Sequence, residues 1–425
     1  MSVALLILLG LISLCPAVIT LDGAVLSSFI PLLVSAGLIV VSVKLPEGEA
    51  QHLLTVVSRP FVVIAAFPAV LMIVQILPLQ FLANPIWTSV NAGFPRGITG
   101  SVSVDTGATA IALARYLSVV GAVVFAAAVA SDRFRAEVVL TGVLAAIVLI
   151  SLAFLNHDLV SPRFFVRREE ALDCACLGVT LSAACGNLIF ERYETRRYKS
   201  NQNQKKYLFG ALACLVAFSI CAGAVAVTRS GSLIFAASSG FLTFCATVVI
   251  RRFGLGRFGA VAIGSTAVVI ATALVTVAAT DPDPRFAFVK KDAAAIEITQ
   301  RMLGDAPVLG DGAGTFAALV PIYRSSGTGS KEVEAVTAAA QLSIEMGRGA
   351  LWIAIMTASF IVYVLLGGAA SRGRDSFYAA GAGACIVTLM NLAFVNVGLT
   401  GHALTLLSGI ILGLGLAQSK SRIAS

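Results

Sequence analysis

Residues 107–130 read GATAIALARYLSVVGAVVFAAAVA, twenty-four residues with one charged side chain, Arg115, eight positions after Gly107. At about 1.5 Å of rise per residue, such a run crosses a roughly 30 Å hydrocarbon core as a helix. It lacks the period-two alternation of a lipid-facing barrel strand. Working outward, eleven more apolar runs of similar length appear, so that twelve spans are expected near 2–20, 24–43, 61–81, 107–130, 138–155, 172–190, 208–227, 233–250, 260–279, 350–367, 377–395 and 402–418. The expected fold is therefore all-α: a polytopic transmembrane bundle of about twelve spans.

The bulk composition agrees. Of 425 residues 58% are hydrophobic and 12% charged, with a mean hydropathy of +0.93, against about 25% charged residues in soluble domains. The first run has no basic residue before it and is read as a retained span, not a cleaved leader. The eight cysteines lie in or beside apolar spans and read as small buried hydrophobes, without the paired spacing of a metal site. No metal and no cofactor is expected.

The net charge of +8 does not point to nucleic acid, because its distribution follows the expected topology. With twelve spans both termini share a side, and short loops there carry seventeen Lys and Arg against five in the short loops opposite. The positive-inside rule then places both termini in the cytoplasm. The basic stretch 191–207 (ERYETRRYKSNQNQKKY) becomes a solvated cytoplasmic loop able to touch anionic lipid. The division expected is spans one to nine over 1–279, a large extracytoplasmic loop over 280–349, and spans ten to twelve with a tail over 350–425.

A connection of about seventy residues exceeds the roughly fifteen beyond which a loop is usually functional or disordered, and this one carries helix punctuation. Asp292 can cap AAAIEITQRML, Glu297 and Arg301 form an i,i+4 pair, and Gly304 can end the helix. VLGDGAGTF (308–316) has three closely spaced glycines but lacks the lysine of a nucleotide-binding P-loop. It is read as a turn that either packs on the neighbouring loop helices or approaches a ligand. Pro321 and the following Gly/Ser run break any long helix. Ser330 can then cap one helix over 331–348, on which Glu334, Gln341, Glu345 and Arg348 share a face. That face is either wet or borders an aqueous cleft.

Two arginines sit where charge is costly. Arg115, inside its span, needs an anionic partner: a carboxylate such as Asp105, or a substrate in a polar cavity. Arg229, in the short turn TRSGS between two spans, must lie at the membrane surface, as an anchor or a ligand contact. A guanidinium offers a planar fork of donors matched to phosphate.

Taken together, TRSGSLIFAASSG (228–240), VLGDGAGTFAALVPIY (308–323), QLSIEMGRGALW (341–352), NPIWTSVNAG (84–93), SVSVDTGATAIALARYLS (101–118) and LTGHALTLLSGIILGLGLAQS (399–419) resemble the O-antigen ligase and polysaccharide polymerase superfamily of bacterial inner membranes. The resemblance implies an enzyme that takes a glycan from undecaprenyl pyrophosphate and passes it to a hydroxyl of another glycan unit or of lipid A core at the periplasmic face. Neither a nucleotide sugar nor a metal takes part. It implies Arg229, Arg115 and Arg324 as pyrophosphate contacts, Tyr323, Gly312 and Gly314 as glycan or pyrophosphate contacts, and Glu334 or Glu345 as the base. Where many ligases carry loop histidines, this chain has Glu334-Ala335-Val336-Thr337, and its loop contains none. Membrane lipids and other polysaccharide-assembly proteins are the further partners implied. A lipid-linked glycan flippase and a non-catalytic envelope-assembly protein remain the alternatives. His402 is expected at the outer end of the last span, as an interfacial residue.

Overall fold

A computed structural model describes residues 1–21, 24–91, 99–159, 167–197, 204–253, 293–324, 334–371 and 375–419. Every regular element among them is helical. In chain order these are α1 (Ser2–Leu21), α2 (Ala24–Lys44), α3 (Glu47–Val56), α4 (Arg59–Ile76), α5 (Ile86–Asn91), α6 (Thr106–Val129), α7 (Arg133–Leu159), α8 (Arg168–Arg197), α9 (Gln204–Val227), α10 (Gly231–Arg252), α11 (Ala293–Asp305), α12 (Phe316–Tyr323), α13 (Ala338–Met346), α14 (Arg348–Ser371), α15 (Ser376–Leu392) and α16 (His402–Ser419). Short 3-10 turns lie at Gln80–Leu82 and Gly398–Thr400.

Ten of these helices (α1, α2, α4, α6 to α10, α14 and α16) are long and apolar enough to cross a membrane. They coincide with ten of the twelve expected runs. The run at 377–395 becomes α15, an apolar helix of 17 residues, and the run at 260–279 lies outside the described residues.

The helix starts follow local chemistry. Asp105 caps α6 by accepting from the Ala108 N–H at 3.0 Å, and Pro60 sits in the first turn of α4, where a missing N–H costs nothing. Between helices, small residues allow close approach, as expected where lipid supplies no hydrophobic drive for association. Gly409 of α16 lies against Val119 of α6. Gly240 of α10 faces Thr388 and Ala384 of α15, where a methyl group would collide.

At the end of the bundle that holds Lys44 and the start of α7, ion pairs tie neighbouring helices. Arg135 meets Glu49 at 2.6 Å, Arg133 meets Asp375 at 2.8 Å, Arg192 meets Glu137 at 2.7 Å and Arg251 meets Glu191 at 2.8 Å. The opposite end carries α11 to α13. Their apolar faces, with Ile298, Met302, Phe316, Leu319 and Ile344, form a small core closed by Val397 from the α15–α16 connection.

Three local expectations about the large loop change. The helix expected from Ser330 over 331–348 is only α13: Thr337 has extended backbone and caps it by accepting from the Ala340 N–H at 3.1 Å, and Gly347 at φ +87° separates it from α14. Glu334 therefore precedes the helix and Arg348 begins the next one, so the expected shared polar face does not exist. The first loop helix runs one residue past Gly304, to Asp305, and holds the expected Glu297–Arg301 pair. The proposed caps Asp292 and Ser330 lie outside the described residues.

Candidate functional site at the loop end of the bundle

The glycine turn 308–315 folds around the end of α13. Gly310, Gly312 and Gly314 all have positive φ, at 73°, 112° and 77°, a region open mainly to glycine. Space adds a second restriction: a Cβ on Gly312 would collide with Ser103, and one on Gly310 with the Glu345 carbonyl.

The N–H groups of this turn converge on one residue. Gly314 N–H donates to Glu345 Oε2 at 2.8 Å and Phe316 N–H donates weakly to Oε1 at 3.4 Å, while Gln341 Nε2 donates to Oε1 at 2.8 Å. Gly312 N–H donates to the Glu345 carbonyl at 3.0 Å. The cradle suggested by the glycines is thus filled by the protein's own carboxylate. Glu345 is buried, and that burial pushes its pKa above the ordinary 4.5, against the opposing pull of the donors.

Gln75, at the end of α4, joins this unit to the bundle. Its Nε2 donates to the Leu309 and Glu345 carbonyls at 2.8 and 2.9 Å, and its Oε1 accepts from Ala313 N–H at 3.1 Å. Asn84 Nδ2 donates to Asp311 Oδ1 at 2.8 Å, and Val104 N–H donates to the Asp311 carbonyl at 2.9 Å. Burial raises the Asp311 pKa, with Asp305 adding to the rise and the Asn84 bond opposing it. Tyr323 lies beside these two acids. Its phenol pKa rises, first through burial and then through the charge and hydrogen bond of Asp305.

The start of α13 is tied to the α15–α16 connection. Ala338 and Ala339 N–H donate to the Asn396 and Ala393 carbonyls, both at 2.8 Å. Asn396 Nδ2 in turn donates to Asp173 of α8 at 2.7 Å. One turn earlier on α8, Glu170 accepts from the N–H groups of Ala403 and Leu404 at 2.8 and 3.0 Å. This supplies the first turn of α16 with an acceptor from another helix.

The expected site residues thus fall into groups. Glu345, Gly312 and Gly314 form one unit, with Tyr323 near its Asp311. Arg115 is exposed on α6, one turn below Ala112, which touches the space beside Gly314. His402 is buried at the first turn of α16. Asp105, a suggested partner for Arg115, is used as the α6 cap. No ion pair among the described residues includes Arg115 or Arg229. Arg229 is exposed in the α9–α10 turn, with φ +50°. Arg324 is half-buried and caps the end of α12, and Glu334 is exposed.

Gln75, Asn84, Glu170, Asp173 and Asn396 were missed by sequence reasoning. Gln75 and Asp173 did leave a signal: Asp173 is the one charged residue of the apolar run 172–190, and Gln75 is a polar side chain inside the run 61–81, where such groups are costly and need partners. The chain matches no known family model and no curated protein sequence.

Proposed function

We propose that this protein transfers a glycan from a polyprenyl pyrophosphate carrier to a hydroxyl acceptor, polymerising or ligating surface polysaccharide. The compartment proposed is the periplasmic face of a bacterial inner membrane, with both termini cytoplasmic and the large loop periplasmic. One observation carries the reading beyond the sequence resemblance: two exposed arginines, Arg229 in the α9–α10 turn and Arg115 nine residues after the start of α6, meet no carboxylate among the described residues, which leaves their donors available to an external anion. In this chemistry the acceptor oxygen attacks the anomeric carbon, the bond to the pyrophosphate oxygen breaks, and the hydroxyl proton passes to a base. The arginines stabilise the departing pyrophosphate, and Glu334, exposed beside the loop core, accepts the proton. The absence of histidine from 280–349 favours another glycan unit as acceptor over lipid A core.

Gene deletion followed by electrophoresis of surface polysaccharide tests this. Loss of long chains with a single repeat retained supports polymerisation, and full-length glycan stranded on the carrier supports ligation. Failure of lipid-linked glycan to reach the outer face points to a flippase, and an unchanged profile overturns the proposal. For the residues, Arg229→Lys keeps the charge and loses the fork, so normal chain synthesis in that variant would remove Arg229 from the pyrophosphate contact.

A further inference from the structure

The seam between α8 and α9 is built mostly from small residues. On α8, Gly178, Ser182, Cys185 and Ile189 follow at intervals of four, three and four; on α9, Gly210, Cys214, Ala217 and Cys221 do the same. Each set therefore lies along one helix face. Contacts near the ends of the seam fix an antiparallel register. Gly178 lies against Cys221 and Gly210 against Ile189, and beyond them the rings of Tyr193 and Tyr207 meet edge to face, with centroids 6.0 Å apart. That register sets Cys185 opposite Cys214.

The spacing of the seam suits a covalent bridge. A Cβ on Gly178 would stand 3.2 Å from the Cys221 Cβ, and one on Gly210 would stand 3.6 Å from Ile189 Cγ1. Cys185 and Cys214 lie between these two levels, and disulfides join Cβ atoms about 3.5–4.5 Å apart. Their thiols already hydrogen-bond to each other, a contact that no other two cysteines make among the described residues. Cys185 is buried and Cys214 half-buried, so one sulfur of the pair is open to attack from outside the bundle. Depth decides what can reach it. Cys185 lies nine residues before the end of its span at Glu194, and Cys214 nine residues after the start of its span at Lys205. At about 1.5 Å per residue, both sit about 14 Å inside a roughly 30 Å hydrocarbon core. A reagent that meets Cys214 there must be soluble in lipid.

We infer that Cys185 and Cys214 are a dithiol site that a membrane quinone oxidises to a disulfide, stapling α8 to α9. Cys214 meets the quinone first and Cys185 closes the bridge. Two S–H bonds break and one S–S bond forms, while the two electrons and two protons pass to the quinone, which leaves as quinol. No net charge is left in the apolar seam, where an unpaired charge would be costly. The site is independent of the glycan-transfer reading.

The test uses the purified full-length protein in detergent, reduced and then freed of reductant, with decylubiquinone as the quinone probe. After unfolding, free thiols are counted by alkylation with N-ethylmaleimide and mass spectrometry. Quinone treatment is expected to remove two of the eight alkylatable thiols, with the Cys185 and Cys214 peptides recovered as one linked species and quinol formed in equal amount. Cys185→Ser and Cys214→Ser should each keep every remaining thiol alkylatable, whereas Cys221→Ser, on the same face of α9, should still lose two. The wild-type count decides the matter even where a serine variant does not fold. Eight free thiols after quinone treatment, or a bridge that joins other cysteines, overturns the inference. Closure by the water-soluble oxidant diamide but not by the quinone also overturns it, because the pair would then exchange electrons with the aqueous phase.

Discussion

Replacing Glu345 by alanine tests whether the glycine turn is held by that carboxylate. The substitution removes the acceptor for Gly314 N–H, Gln341 Nε2 and, more weakly, Phe316 N–H. Hydrogen bonds to a charged group contribute about 1.5–3 kcal/mol each, so the two short ones set an upper bound near 6 kcal/mol. Two effects reduce it: Gly314 is exposed and Gln341 half-buried, so water replaces part of what is lost, and the cost of burying the charge disappears. A net loss of about 2 kcal/mol remains, or about 30-fold in the opening equilibrium, since each 1.4 kcal/mol is tenfold.

Hydrogen–deuterium exchange of the full-length protein reads this directly at residues 310–316, after correction for intrinsic exchange rates. An acceleration of less than about threefold in Glu345→Ala would refute the latch. The wild-type protein adds a pH signature. A carboxyl whose folded pKa exceeds its unfolded value binds its proton more tightly when folded. The turn should therefore become better protected as pH falls from neutral through the raised pKa of Glu345 towards the ordinary 4.5, with Asp311 acting in the same direction. In Glu345→Gln the Glu345 part of that dependence should vanish.

Gly312→Ala places a methyl on Ser103 at φ +112°; a cost of about 2 kcal/mol or more is expected, seen as faster exchange in both 99–105 and 308–316. Adding Ser103→Ala should recover only part of this, because the backbone strain remains. At the other end of the bundle, Arg135→Met removes the cation that meets Glu49 at 2.6 Å and leaves that carboxylate, 16% exposed, without its charged partner in the pair while Ser131 still donates to it at 3.2 Å. A loss of about 3 kcal/mol should appear as a lower melting temperature in detergent, partly restored by Glu49→Gln.

The spans were legible because each is a local property: length and apolarity suffice to mark them. Their ends were not. The run expected at 172–190 becomes a helix from Arg168 to Arg197, because charged residues continue the helix and are consumed in contacts such as Glu170 with the α16 start and Arg192 with Glu137. The turn at 308–316 was legible too, since three glycines so close signal backbone that other residues rarely adopt. What it holds was hidden. Gln75 and Ala313 lie 238 residues apart in sequence, and nothing local in either announces the other. The helix expected over 331–348 went wrong for a traceable reason. A uniform 3.6-residue period was extended through Thr337, which caps a helix instead of continuing one, and that put Glu334 and Glu345 on a common face they do not share.

This separation bears on which carboxylate can serve the proposed transfer. A base must touch the acceptor hydroxyl and afterwards give its proton to water. Glu345 is buried, and its oxygens already accept from Gly314, Gln341 and Phe316, so an acceptor sugar reaches it only if the turn opens. Glu334 is exposed, yet the residues after it are anchored: Ala335 packs in the core with Ile298 and Phe316, and Val336 is fully buried. A side chain held at its base and free at its tip meets both demands. Under the proposed reaction the two carboxylates of the loop would thus take different roles set by their surroundings. Under the proposed reaction, Glu334→Gln should abolish chain growth while leaving exchange at 310–316 unchanged, whereas Glu345→Gln should loosen the turn and lower activity only in proportion. Full activity in Glu334→Gln, or lost activity with an undisturbed turn in Glu345→Gln, would reverse the assignment.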